Sequence, residues 1–207
     1  FIDRLTFEDL KRSMRVKLRQ RFITGVGKNT FIYFQSQLLL FLQGGFTVLL
    51  LSSLSDNNEV AIFILAIQLA SITTFVFASG TLRIAPLIAR FHASNEQYCG
   101  KILKQNSRIV ASLTGIIFLM TWFSSDFLLN LFGNEYISSK RVLEILLISN
   151  VVNALTGPAG TVLEMVGSGS VRRNILFINT LLIVTLSIIL IPRLGAQGLA
   201  IAIAVPN

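Results

Sequence analysis

A few amides, one carboxylate and one proline lie within otherwise apolar blocks of this sequence. They are the groups with the most capacity for chemistry. Gln35, Gln37 and Gln43 fall in a first block, Gln68 in a second, Asn150 and Asn153 in a fourth and Asn179 in a fifth. In a hydrocarbon setting such amides bond either to a neighbouring helix or to a polar molecule passing between helices. Asn150, Asn153 and Gly157 recur at i, i+3 and i+7, which places them on one helix face. That face reads either as a cross-link or as a cavity lining. Gln43, Gln68, Asn150 and Asn153 are therefore candidates for a substrate path.

Charged groups extend the set. Arg83 closes the second block, three residues before Pro86. It suits contact with an anionic headgroup, or simple snorkelling to the interface. Glu164, among apolar residues and glycines, is an ion-coupling candidate, since a half-buried carboxylate can titrate. The alternative is a pair with Arg172 or Arg173 across a short turn. Gly157 and Pro158 mark a hinge or a fixed bend, because proline removes a backbone hydrogen bond and glycine loosens its surroundings.

Bond-making chemistry finds no constellation here. Cys99 and His92 are the only cysteine and histidine, so no Cys/His metal cluster and no Ser/His/Asp set can be assembled. No Gly-rich loop followed by Lys and Ser/Thr is present to cradle nucleotide phosphates. The expectation is a non-enzymatic protein with no cofactor and no metal.

The elements that must position these residues follow from composition. Of 207 residues, 53% are hydrophobic and only 14% charged, against ~25% charged in soluble domains. The mean hydropathy of +0.70 comes from long blocks, none strictly alternating, which argues against a β-barrel. Blocks at about 30–54, 60–82, 103–123, 142–166 and 174–191 each approach the ~20 residues that span a bilayer. A sixth begins near 196 and is cut off. The fold class expected is all-α, a polytopic transmembrane bundle.

Residues 1–28 are polar and basic. Phe7, Leu10, Met14, Leu18 and Phe22 share a face, with six Lys and Arg between positions 11 and 21 on the remainder. This reads as a cytoplasmic amphipathic linker helix against anionic lipid, or as a solvated linker. The net charge of +8 therefore points to a membrane surface and not to nucleic acid. With the amino end inside, only Lys140, Arg141 and Arg193 of the 18 Lys and Arg fall in outer loops. That asymmetry sets the orientation by the positive-inside rule. The start at Phe1 and the stop within an apolar run suggest an internal fragment.

The order of motifs resembles a known family. LRIAPLIAR at 82–90 is similar to a helix end of bacterial polysaccharide flippases, and a charged amphipathic loop follows it to Arg108. LFGNEY at 131–136, LEILLISNVVNALTGPAGTVLEMVGS at 143–168 and IPRLGAQGLAIAIA at 191–204 continue the likeness. Together they resemble the C-terminal half of a Wzx-type oligosaccharide flippase, in the multidrug/oligosaccharidyl-lipid/polysaccharide exporter superfamily. The resemblance implies a six-helix lobe of a two-lobed, alternating-access transporter in the bacterial inner membrane, its last helix truncated. It implies undecaprenyl-diphosphate-linked oligosaccharide as cargo. Implied partners are an N-terminal lobe and the polymerase and chain-length proteins of surface polysaccharide assembly. A drug antiporter of the same superfamily and a non-transporting membrane scaffold are the rival readings. One departure stands out: no Lys or Arg lies in mid-membrane to meet a lipid diphosphate.

Overall fold

Apolar blocks of bilayer length become helices because every backbone polar group must be satisfied within its own segment once water is gone. A computed structural model describes Gly27, residues 30–91 and residues 96–206, with the side chains of 91–99 and 134 outside that description. The amphipathic helix expected over 1–28 lies almost wholly outside the described residues.

The elements in chain order are α1 (Thr30–Leu54), α2 (Asn57–Phe91), α3 (Glu96–Phe123) and α4 (Ser125–Phe132). After a short 3-10 turn over Asn134–Ser139 come α5 (Lys140–Thr156), α6 (Ala159–Met165) and α7 (Gly169–Ala204). All regular structure among the described residues is helical. Four of these helices are long and apolar enough to cross a membrane, and the bent pair of α5 and α6 supplies a fifth crossing if counted as one.

The helices overrun the apolar blocks. α2 continues to Phe91, carrying Arg83, Pro86 and Arg90 beyond the expected limit near 82. The charged stretch after residue 90, expected as a loop, is helical again from Glu96. The gap of 55–59 between the first two apolar blocks shrinks to Ser55 and Asp56, with α2 starting at Asn57.

Three discontinuities interrupt the helices. α1 contains a π turn at Leu42–Phe46, reading LQGGF, where Gly44 and Gly45 add no side-chain bulk. The Thr47 hydroxyl donates to the Gln43 and Gly44 carbonyls at 2.7 and 3.0 Å, holding the widened turn. α5 ends at Gly157, which has φ +78, and α6 starts after Pro158 at a 44° bend. α6 in turn ends in a glycine stop: Gly167 has φ +82, Ser168 N–H donates to Leu163 O and Gly167 N–H to Glu164 O, the double bond pattern of a Schellman motif.

The third discontinuity is Gly195 in α7, with φ +56 and ψ −131. A Cβ on Gly198 would stand 2.5 Å from Leu190 O. Eight residues along a straight helix would be ~12 Å apart, so the chain turns sharply on itself here. Residues 196–204 then re-enter the bundle, with Ala196, Gly198, Leu199, Ala200 and Ala202 buried.

The core lies between α1, α2, α5 and both arms of α7. Leu51, Phe63, Leu143, Leu147 and Leu199 have no exposed surface there. Leu49, Phe75, Leu82, Phe123 and Leu155 are among many large apolar side chains left facing outward, which suits a surface bathed in lipid.

Candidate functional site

The polar residues divide into two seams and one groove. In the first seam α1 and α7 run parallel. Gln43 Nε2 donates to Thr180 Oγ1 at 2.9 Å and to Leu176 O at 3.3 Å. Toward the start of both helices, Arg173 Nη1 donates to Gln35 Oε1 at 3.2 Å. In the second seam Asn150 Nδ2 donates to Thr73 Oγ1 at 2.8 Å and to Ala70 O at 3.2 Å, tying α5 to α2. The Thr73 hydroxyl in turn donates to Ala70 O at 2.6 Å. Gln43 and Asn150 thus act as helix cross-links in this conformation.

Arg83 is exposed on α2 and borders a groove of about 220 Å³ between α2 and α3, shared with Ile84, Leu87, Gln105, Asn106 and Ile109. Near the groove α2 and α3 approach closely at Gly80, where a Cβ would collide with Val110. Asn106 Nδ2 donates to Gly80 O at 3.3 Å beside it. Gln68 is exposed on α2 and Asn153 half-buried on α5. With Arg83 counted, the five path candidates therefore do not converge on one pocket: Gln43 and Asn150 hold seams, Gln68 and Arg83 are exposed on α2, and Asn153 is half-buried on α5.

Gly157 sits against α3, where a Cβ would stand 2.9 Å from Ser107 Oγ. Just beyond the break, Glu164 Oε1 pairs with Arg172 Nη1 at 2.5 Å, both side chains less than a fifth exposed. Arg172 also lies over Gly160, its Nε 3.3 Å from where a Cβ would be. Of the two roles open to Glu164, this conformation displays the ion pair.

Sequence reasoning missed several polar groups. Glu59 falls between two apolar blocks and carries no signal of its own, yet its Oε2 accepts from the Ala196 N–H at 2.7 Å. It lines an open polar cavity of about 560 Å³ with Asp56, Arg193 and Gln197. Asn106, Thr73 and Thr180 carried no periodic signal, since one polar residue in an apolar helix gains meaning only from its neighbour.

The contacts give each end of the bundle its membership. Arg83, Arg90, Lys101, Lys104, Arg108, Arg172 and Arg173 belong toward one end, and Lys140, Arg141 and Arg193 toward the other. At that second end Lys140 Nζ meets both Asp126 oxygens at 2.7 Å.

Bilayer-length helices, partly buried amide seams and a broken crossing fit many membrane proteins, and comparison with protein families decides the group. The MatE family matches residues 33–202. The chain belongs to the MatE family. MatE proteins are membrane transporters of the multidrug and polysaccharide exporter superfamily, not enzymes. The match spans all the discontinuities described above. No curated protein and no solved structure gives a significant match.

Proposed function

We propose that this MatE chain forms the second lobe of an exporter that passes undecaprenyl-diphosphate-linked oligosaccharide across the inner membrane by alternating access. The observation that carries the reading is the broken crossing at Gly157–Pro158. Transport sites are commonly built where a membrane helix is discontinuous, because freed backbone groups are tolerated only beside a cavity or packed protein. Here the break follows Asn150 and Asn153 on α5 and abuts Ser107 of α3, so a change of bend would shift both faces together. Gly157 and Pro158 are the hinge in this reading.

The cargo rests on the flippase-like motifs and on side-chain chemistry. Arg83, with Gln105 and Asn106 in its groove, offers a cation and amides to a diphosphate and its first sugar. Gln68 and Asn153 present further amides for hydroxyl groups, and the Gln43 and Asn150 bonds are exchangeable for sugar contacts when the seams open. The end bearing Arg83 and Arg173 faces the cytoplasm in this reading, by the positive-inside rule.

Deleting the gene tests the cargo in cells. The expected result is loss of surface polysaccharide with lipid-linked repeat units accumulating on the inner leaflet, and unchanged sensitivity to cationic dyes. Intact polysaccharide with increased dye sensitivity would instead assign the chain to drug antiport.

A further inference from the structure

The seam between α1 and α7 carries a site that the transport reading does not use. Its groove of about 280 Å³ is lined by Gln35, Leu38, Leu39, Arg173, Asn174 and Phe177. Arg173 is held by three bonds to neutral oxygens: Nη1 to Gln35 Oε1 at 3.2 Å, Nε to Asn174 Oδ1 at 3.2 Å and Nη2 to Asn174 Oδ1 at 2.8 Å. No carboxylate pairs with it among the described residues, whereas its neighbour Arg172 is neutralised by Glu164. A half-buried guanidinium fixed in direction but not in charge is ready for an anion, and its planar fork suits phosphate oxygens.

The second half of the argument is the arrangement along the groove. Gln35, Leu38 and Leu39 share one face of α1 at i, i+3 and i+4, and Arg173 and Phe177 share one of α7 at i and i+4. The polar residues sit toward the starts of both helices, and Leu38, Leu39 and Phe177 lie about one turn, ~5 Å, deeper. Leu38 and Phe177 are 48% and 59% exposed. A cationic mouth above an apolar trough matches an amphiphile with an anionic head and hydrocarbon tails. The surplus of basic residues at this end of the bundle favours the same charge.

We propose that this groove binds an anionic glycerophospholipid of the surrounding leaflet, its phosphate on Arg173 and one acyl chain along Leu38, Leu39 and Phe177. The lipid would fasten α1 to α7 at the end where the bond from Arg173 Nη1 to Gln35 Oε1 joins them. The site does not depend on which cargo the transporter carries.

The test uses the full-length protein in detergent, titrated with phosphatidylglycerol, phosphatidylcholine or inorganic phosphate while thermal unfolding is followed. Phosphatidylglycerol should raise the midpoint more than phosphatidylcholine, and phosphate alone should not. Arg173→Gln should weaken the phosphatidylglycerol effect about tenfold, and Arg193→Gln, at the opposite end, should leave it intact. Should Arg173→Gln not fold, the Trp122→Phe, Phe177→Trp variant reports directly. Brominated phosphatidylglycerol should quench Trp at 177 at lower concentration than brominated phosphatidylcholine. Equal effects of the two lipids, protection by phosphate alone, or displacement of the lipid by undecaprenyl phosphate would overturn the proposal.

Discussion

The Glu59 carboxylate stands at the start of two helices at once. It occupies the first turn of α2 and accepts the Ala196 N–H at 2.7 Å, where residues 196–204 begin. Helix starts leave N–H groups without partners and favour negative charge, so one side chain answers both needs and ties the first helical hairpin to the last. Gly195 makes room for it: its φ is +56, and a Cβ there would collide with the Glu59 carboxylate.

Glu59→Ala is accordingly expected to lower stability by about 1–2 kcal/mol, and Glu59→Gln by less, since an acceptor oxygen remains. Gly195→Ala should cost about 1–3 kcal/mol through its backbone conformation and the collision. Because the collision vanishes without the carboxylate, the double variant should cost less than the sum of the two. Denaturation in detergent micelles reads all four. Simple additivity would mean that Glu59 and Gly195 do not meet.

The α2–α5 seam predicts a second coupling. Asn150→Leu removes the bonds to Thr73 and Ala70 and should cost ~0.6–2 kcal/mol. After Thr73→Val the same change should cost less, because the shorter of the two bonds is already gone. If Asn150 serves chiefly as a cross-link, export per folded molecule will persist in Asn150→Leu. A loss of export at unchanged stability would instead give this amide a place on the substrate path.

Glu164 and Arg172 form a pair with little exposed surface. Removing one partner strands the other charge, for which about 3 kcal/mol or more is typical of buried pairs. Glu164→Gln should therefore destabilise more than the Glu164→Gln, Arg172→Gln double variant. Ion dependence of transport is the separating readout: if Glu164 only pairs, the double variant keeps the same coupling ion and the same dependence on it.

The break at Gly157–Pro158 offers a fourth test. Gly157→Ala introduces a Cβ at φ +78, 2.9 Å from Ser107 Oγ. Lower stability is expected, about 1–3 kcal/mol for the backbone conformation alone. Ser107→Ala or Ser107→Gly should recover the steric part but not the backbone part. Complete recovery by either change would show that the left-handed conformation at 157 costs nothing.

How much of this was legible in the sequence follows from what hydropathy measures. The apolar blocks mark the slab of hydrocarbon, so the crossings could be read. The helices run further, because Arg83, Arg90 and Lys101 continue helical backbone into polar surroundings that hydropathy scores as loop. The Gly157–Pro158 break could be read because both residues have a local backbone reason to end a helix. The turn at Gly195 was legible only as a gap between blocks, and its partner Glu59 not at all, since the two lie 137 positions apart. The π turn at Leu42–Phe46 left only a Gly-Gly trace, and the bond from Gln43 to Thr180 left none. Arg173 resembled its neighbour Arg172 in sequence, and only packing separates the paired guanidinium from the one held by amides.

The proposed export of a lipid-linked oligosaccharide is measured most directly in proteoliposomes. Full-length protein would be reconstituted with undecaprenyl-diphosphate oligosaccharide, and access of a membrane-impermeant glycosidase to the sugar followed over time. The fraction cleaved is expected to rise past the externally exposed share only when the protein is present, and Arg83→Ala to slow the rise. Cleavage that stops at the external share while the same vesicles move a cationic dye would contradict the proposed export.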